Sequence, residues 1–313
     1  MDMIEARLAQ GRFDQGAQIV PLPRPVETAV PELQVGFALP APALRPLITT
    51  YYQVVAPGPL TDYLHPEWGN IRFTTRGSWQ LSRAGCPDPS PDRHGLFGPS
   101  DRTATVTTQG QAAMLGVGLT SLGWNQLLGV PANLHANRMR PLSDVLGDSA
   151  DALWQRLCAL PWAEVPAALD EFFLARAAAA PPADPMIETV QAALIDGNID
   201  TAHDFAASLG VNDRTLARLC LRVFGFAPKR LLRRQRFLRT LADIGDRLDQ
   251  PLASLLDGSY FDQPHFNREF RAYMGMTPRA YVHSPRQMMR RAAIERMRTA
   301  GAVVQGLHHI KAD

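Results

Sequence analysis

The sequence predicts an α+β protein: a β-rich N-terminal domain closed by helices, followed by an all-α C-terminal domain. Three observations carry that reading. Runs of β-branched and aromatic residues are confined to the stretch before about residue 120. From about residue 150 onward the apolar residues recur at helical spacing instead. Between the two, "ARAAAAPPADP" (175–185) ends a helix in alanines and breaks the chain with a Pro-Pro pair. A length of 313 residues gives each part enough chain for its own core.

The first 44 residues are proline-rich and without a clear period, which predicts an irregular arm. Residues 45–178 form the predicted β-rich domain. "LITTYYQVV" (47–55) reads as a strand. "NIRFTTRGSWQLS" (70–82) reads as alternation around a Gly77 turn, with Ile71 and Phe73 on one side of the turn and Trp79 and Leu81 on the other. "TATVTT" (103–108) and "AAMLGVGL" (112–119) read as further strands, and "AGCPDPSPDRHGLFGPSD" (84–101) as a long loop. Leu153, Leu157 and Leu160, then Leu169, Phe172 and Phe173, mark two helices before the linker at 179–184.

Residues 185–283 are predicted all-helical and contain a weak repeat. "TAHDFAASLGVNDRTLARLCLRVFGFAPKRL" gives a short helix, a tight turn, a second helix and a Gly-x-x-Pro stop. "PLASLLDGSYFDQPHFNREFRAYMGMTPRAY" repeats that order about 50 residues later, and "PKRLLRRQRFLRTLADI" (228–244) bridges them as one amphipathic helix. Asn212 can cap a helix over 213–224, with Gly210 in the turn and Gly225 at its end. Asp262 can cap 263–274, with Pro264 in the first turn and Gly275 at the end. Each copy is a helix-turn-helix, a unit whose second helix enters the DNA major groove. Residues 284–313 are a tail with a basic helix predicted at 285–299; Met288, Met289, Ala292, Ile294 and Met297 are placed for packing, and Arg286, Arg290 and Arg291 for phosphate contact.

Charge supports the same partner. Residues 1–183 hold 13 basic and 16 acidic residues, and residues 184–313 hold 19 and 14. The stretch 214–239 carries nine basic residues and no acid, a surface suited to phosphates. No apolar run approaches the roughly 20 residues of a membrane span. "MDMIEARLAQGRFDQ" lacks the apolar core of a secretory signal, and Cys86, Cys158 and Cys220 fit neither a disulfide framework nor a zinc clamp. The expectation is a cytoplasmic protein with reduced thiols and no membrane partner.

On the helix at 213–224, Leu216, Leu219, Cys220 and Val223 form the buried stripe, leaving Arg214, Ala217, Arg218 and Leu221 outward. Arginine there can bond guanine O6 and N7 together. On the helix at 263–274, Phe266, Phe270 and Tyr273 face the core, leaving Gln263, Asn267, Arg268 and Arg271 outward; Gln and Asn suit adenine. His265 lacks a metal-ligand partner at helical spacing and reads as a packing or phosphate-contacting histidine.

With these residues in view, "YFDQPHFNREFRAYMGMTPRAY" and "LGVNDRTLARL…FGFAPKRLLRRQRF" resemble the DNA-binding domain of the AraC/XylS family of bacterial transcription regulators. The resemblance implies two helix-turn-helix subdomains joined by the linker helix. It implies base contacts from Arg214, Ala217 and Arg218 and from Gln263, Asn267 and Arg268. Phosphate contacts fall to Arg222, Lys229, Arg230, His265, Arg271 and Thr277. The sequence departs from the family pattern at Cys220, Leu221, Ser259, Pro264 and Val282. More loosely, "HPEWGNIRF", "LFGPSDRTATVTT" and "RPLSDVLG" resemble the β-rich sensors that precede this domain in part of the family, implying a small-molecule effector or a homodimer, and RNA polymerase as partner if the output is activation. His65 and Glu67 are too few ligands for a metal site. No cofactor and no catalytic residue is expected. One alternative is a repair-type DNA-modifying enzyme, for which Cys86 is the candidate thiol. The other is an architectural DNA binder whose first domain only assembles oligomers.

Overall fold

The computed structural model describes residues 32–244 and 263–308. Its strands are β1 (Gln34–Ala38), β2 (Ile48–Ala56), β3 (Leu60–Leu64), β4 (Asn70–Arg76), β5 (Gln80–Ser82), β6 (His94–Phe97), β7 (Ala104–Thr108), β8 (Ala112–Leu119) and β9 (Met139–Pro141). They form two antiparallel sheets, β1-β2-β8-β4-β6-β9 and β3-β7-β5. Tyr52, Val54 and Met114 of the larger sheet meet Leu64, Leu81 and Val106 of the smaller one in a shared core, with Trp79 sealed inside. β8 is buried at every position, because β2 and β4 flank it and both of its faces are covered. Gly116 in β8 is obligatory in this packing: the Tyr52 ring lies 1.9 Å from where a Cβ would stand.

Gly77 turns the chain as expected, at φ +66°, and the strands on either side, β4 and β5, belong to different sheets. One strand expectation needs correction. The region left to an irregular arm and a long loop contains β1, which pairs with the next strand β2, and β6, which pairs with β4 and β9.

The helices follow as α1 (Asp148–Cys158), α2 (Val165–Ala179), α3 (Met186–Asp196), α4 (Ala202–Ser208), α5 (Asp213–Phe224), α6 (Pro228–Ile244), α7 (Gln263–Met274), α8 (Pro278–His283) and α9 (Gln287–Ala300). Among the described residues, no helix is long and apolar enough to cross a membrane. The Pro-Pro pair ends α2 with Ala180 in extended backbone, as a residue before proline prefers. It redirects the chain without separating it. One buried cluster runs from Ile71 and Val117 of the larger sheet through Phe173 of α2 and Val190 of α3 to Phe205, Leu216, Phe224 and Leu231. The two predicted domains therefore share one buried core across the linker at 179–184. Trp68 meets Phe224 edge-on at 5.8 Å, and the guanidinium of Arg234 stacks on Trp68 at 3.8 Å.

The tail is also built in. α9 packs on β1, β2 and β3 with Met288, Met289 and Ala292 buried, whereas Ile294 and Met297 stay 63% and 47% exposed, unlike the packing role expected of them. Asp62, fully buried, accepts the backbone N–H groups of Met288 (2.8 Å) and Met289 (3.2 Å), fixing the start of α9. Gln305 donates to the carbonyls of Gly69 and Leu119 and accepts from Asn70. The Thr103 N–H donates to the Tyr273 carbonyl at 2.7 Å, and His65 Nε2 lies 2.6 Å from the Tyr281 hydroxyl.

That histidine makes the joint sensitive to acid. Burial, then the charges of Arg296 and Arg286, hold His65 at about 3, against an ordinary value of 6.5. As the pH falls below 6.5 the unfolded chain takes up a proton that the folded one refuses, so stability is lost between about pH 6.5 and 3. The expected cost is at most about 1.4 kcal/mol per pH unit, less because the ring keeps part of its surface. Urea midpoints measured from pH 7 to pH 5 should fall less steeply in His65→Gln than in the parent; equal slopes would assign the effect elsewhere.

Candidate nucleic-acid interface

The first helix-turn-helix is assembled by local chemistry. Thr201 caps α4, accepting from the Asp204 N–H at 3.1 Å. Gly210 turns the chain at φ +65°, and the Val211 N–H returns to the Ala206 carbonyl. Asn212 caps α5 through the Thr215 N–H at 2.8 Å, and Gly225 ends it at φ +84°. Leu216, Leu219, Cys220 and Val223 are buried on α5. Burial pushes the Cys220 thiol up to about 12, so it acts as an apolar filler. Arg214, Arg218, Leu221 and Arg222 are exposed on the other side and Ala217 is half-buried.

In the second unit, Phe266, Phe270 and Tyr273 of α7 pack with Phe237 of α6. Gln263, Arg268 and Arg271 are exposed, and His265 and Asn267 are half-buried. Thr277 caps α8, its hydroxyl oxygen accepting from the Ala280 N–H at 3.0 Å. The Asp262 cap, Ser259 and the first helix of this unit lie outside the described residues.

The acid-free stretch does not present all nine cations to solvent. Arg230 pairs with Asp101, which lies between β6 and β7, and also covers the Phe226 ring. Its guanidinium is neutralised within the protein, and the expected phosphate contact from Arg230 is withdrawn. Arg233 and Arg236 of α6 face Glu269 of α7, at 3.0 and 3.9 Å. Arg234 is fully buried, donating to the Ser100 carbonyl, and Arg239 donates to the Leu194 and Ile195 carbonyls. The remaining cations, Arg214, Arg218, Arg222 and Lys229, are exposed with no acidic partner among the described residues. Glu269 is the residue that sequence reasoning missed. An acid at the core-facing edge of an aromatic stripe, opposite an arginine-rich helix, was the available signal.

His65 and Glu67 are engaged by Tyr281 and Arg72. Among the described residues no group of three His, Cys, Asp or Glu could hold a metal ion. Cys86 is half-buried beside Asp88, its Sγ 3.9 Å from the carboxylate.

Residues 205–284 match a family described as a helix-turn-helix domain. No curated protein matches the chain. Among solved structures, an apo variant of ToxT from Vibrio cholerae is 14% identical over 74% of this chain and 96% of its own, with a TM-score of 0.42. Wild-type ToxT from Vibrio cholerae with a bound unsaturated fatty acid is 12% identical over 74% and 94%, at 0.40. The AraC-like transcriptional activator CuxR is 17% identical over 64% and 79%, at 0.25. The family match covers α5, α6 and α7. Residues 205–284 are an AraC-type helix-turn-helix domain, and the chain that carries it behind a β-rich region is a DNA-binding transcriptional regulator.

Proposed function

We propose that the protein reads a specific double-stranded operator with α5 and α7, and that its β-rich part receives a small effector. The observation that carries the DNA reading is the division of the nine cations. Five are spent on holding the fold together, and the four without an acidic partner among the described residues stand on the exposed side of α5 and in the first turn of α6. In this reading Arg214, Ala217 and Arg218 meet base edges from α5, as do Gln263, Asn267 and Arg268 from α7. Arg222, Lys229, Arg271, Thr277 and the half-buried His265 hold phosphates. Leu221, 40% exposed on the same face of α5, suits a thymine methyl.

Arg218→Ala should cost about 1–3 kcal/mol on the best site and relax preference at one or two base pairs, while non-specific binding barely changes. Arg271→Ala should weaken all sequences alike. The pair of variants is compared on DNA selected by the purified protein; a uniform loss in both would make Arg218 a phosphate contact.

The effector reading draws support from two cavities. One, of about 400 Å³, lies between α9, α8 and the end of α6; the other, of about 50 Å³, lies inside the sandwich. We place the protein in the cytoplasm as a regulator rather than an enzyme, with RNA polymerase a partner if the output is activation. A ligand that raises the melting temperature of the full chain and alters its operator affinity supports sensing. Concentration-dependent self-association without any ligand effect would favour the assembly role.

A further inference from the structure

The interior of the sandwich holds more guanidinium than carboxylate. Arg72 on β4 is 4% exposed; its Nη2 donates to Glu67 at 2.7 Å, while its Nε and Nη1 have no hydrogen-bond partner among the described residues. Arg296 of α9 reaches the same space. Its Nη1 donates to the Val303 carbonyl at 3.2 Å, its guanidinium stands 4.9 Å over the Phe37 ring, and its Nε is unpartnered. Both line the cavity of about 50 Å³, together with His65, Glu67, Asn70 and Gln305. His65 stays neutral there, and Tyr52, with its hydroxyl on Asn70, is held protonated by burial. Two guanidinium groups therefore face one carboxylate. A buried charge without a partner costs several kcal/mol, and so do orphaned donors on it.

We propose that this cavity is a site for the carboxylate of a small monoanionic ligand, held between Arg72 of β4 and Arg296 of α9. A bound carboxylate adds negative charge where the lining sets two guanidinium groups against one carboxylate, and the unused N–H groups supply charge-assisted hydrogen bonds. The size of the cavity suits a carboxylate and little beyond its first carbons. The assignment rests on the effector reading above and deepens it, because one of the two anchors belongs to the tail. A bound carboxylate bridges the larger sheet to α9, whose flanks carry Tyr281 and Gln305, the residues that join the second helix-turn-helix and the sheet. Ligand binding and the seating of the DNA-binding region are then one equilibrium.

The test uses the full-length protein and acetate as probe. Melting temperature is followed against sodium acetate and against sodium chloride at matched ionic strength, and ¹³C-labelled acetate is followed by its line width. A saturable rise with acetate, absent with chloride, and a broadened acetate resonance are expected. Arg296→Met removes the unbalanced charge while filling its volume, so it should fold and weaken the acetate response roughly tenfold or more. Acetate behaving as chloride in the parent, or an undiminished response in Arg296→Met, would overturn the site. Salt-dependent DNA binding of the same preparation is read separately. If it persists while acetate fails, this site alone is wrong; if it too is lost, the regulator reading fails with it.

Discussion

A chain ending at Ser284 should lose about 5 kcal/mol or more, enough to abolish a cooperative unfolding transition in a protein of ordinary stability. Removing α9 uncovers the cavity that Met288 and Met289 fill, each side chain contributing about 1.5–3 kcal/mol by burial. Asp62 keeps its buried carboxylate but loses two of the three backbone donors it accepts from, retaining only Tyr63 N–H among the described residues. Gln305 leaves with the tail, so the Gly69 and Leu119 carbonyls and the Asn70 amide each lose a partner. Ile294→Ser is the control: at 63% exposure it should change stability by less than about 0.5 kcal/mol. Thermal melting of the three proteins decides. A truncated chain that melts within a few degrees of its parent would show the tail to be an appendage.

The same contacts change what residues 185–313 can be expected to do alone. From sequence, a helix of 17 residues spanning roughly 25 Å could set two recognition helices in adjacent turns of the groove, as a free-standing monomer covering about two helical turns. In the structure Phe224 rests on Trp68, Arg234 donates to Ser100 and Tyr273 accepts from Thr103. Cut free, that region leaves an apolar face and a buried arginine without partners.

The parts of the fold that a single sequence shows are those governed by local chemistry. Asn212, Gly210, Gly225 and Thr277 act within a few residues of themselves, and each cap or turn sits where its residue type places it. Strands β2, β7 and β8 carry enough β-branched and aromatic residues to stand out. What stayed hidden depends on partners outside the segment itself. β1 and β6 are strands only because β2, β4 and β9 pair with them. The nine cations look alike in sequence, and only the positions of Asp101, Glu269, Trp68 and the α3 carbonyls divide them into structural and free. Arg72 and Arg296 lie 224 positions apart and meet only because α9 closes the sandwich.

Salt carries the second large effect. Arg214, Arg218, Arg222 and Lys229 on the first unit, with Arg268, Arg271 and Arg279 on the second, are exposed cations that DNA can recruit. Each neutralised phosphate steepens the fall of log K with log salt by roughly 0.9, so the four not assigned to bases, Arg222, Lys229, Arg271 and Arg279, give a slope of about −3.6 and a loss of roughly 10²-fold between 50 and 200 mM. Had all nine cations of the acid-free stretch been free, the slope would be steeper by the five that the fold consumes. The most direct test of the account is therefore the affinity of the full chain for its selected DNA across that salt range. The account predicts a linear decline with a slope of about −3.6, made shallower by about one unit in Arg222→Ala; a flat response would contradict it.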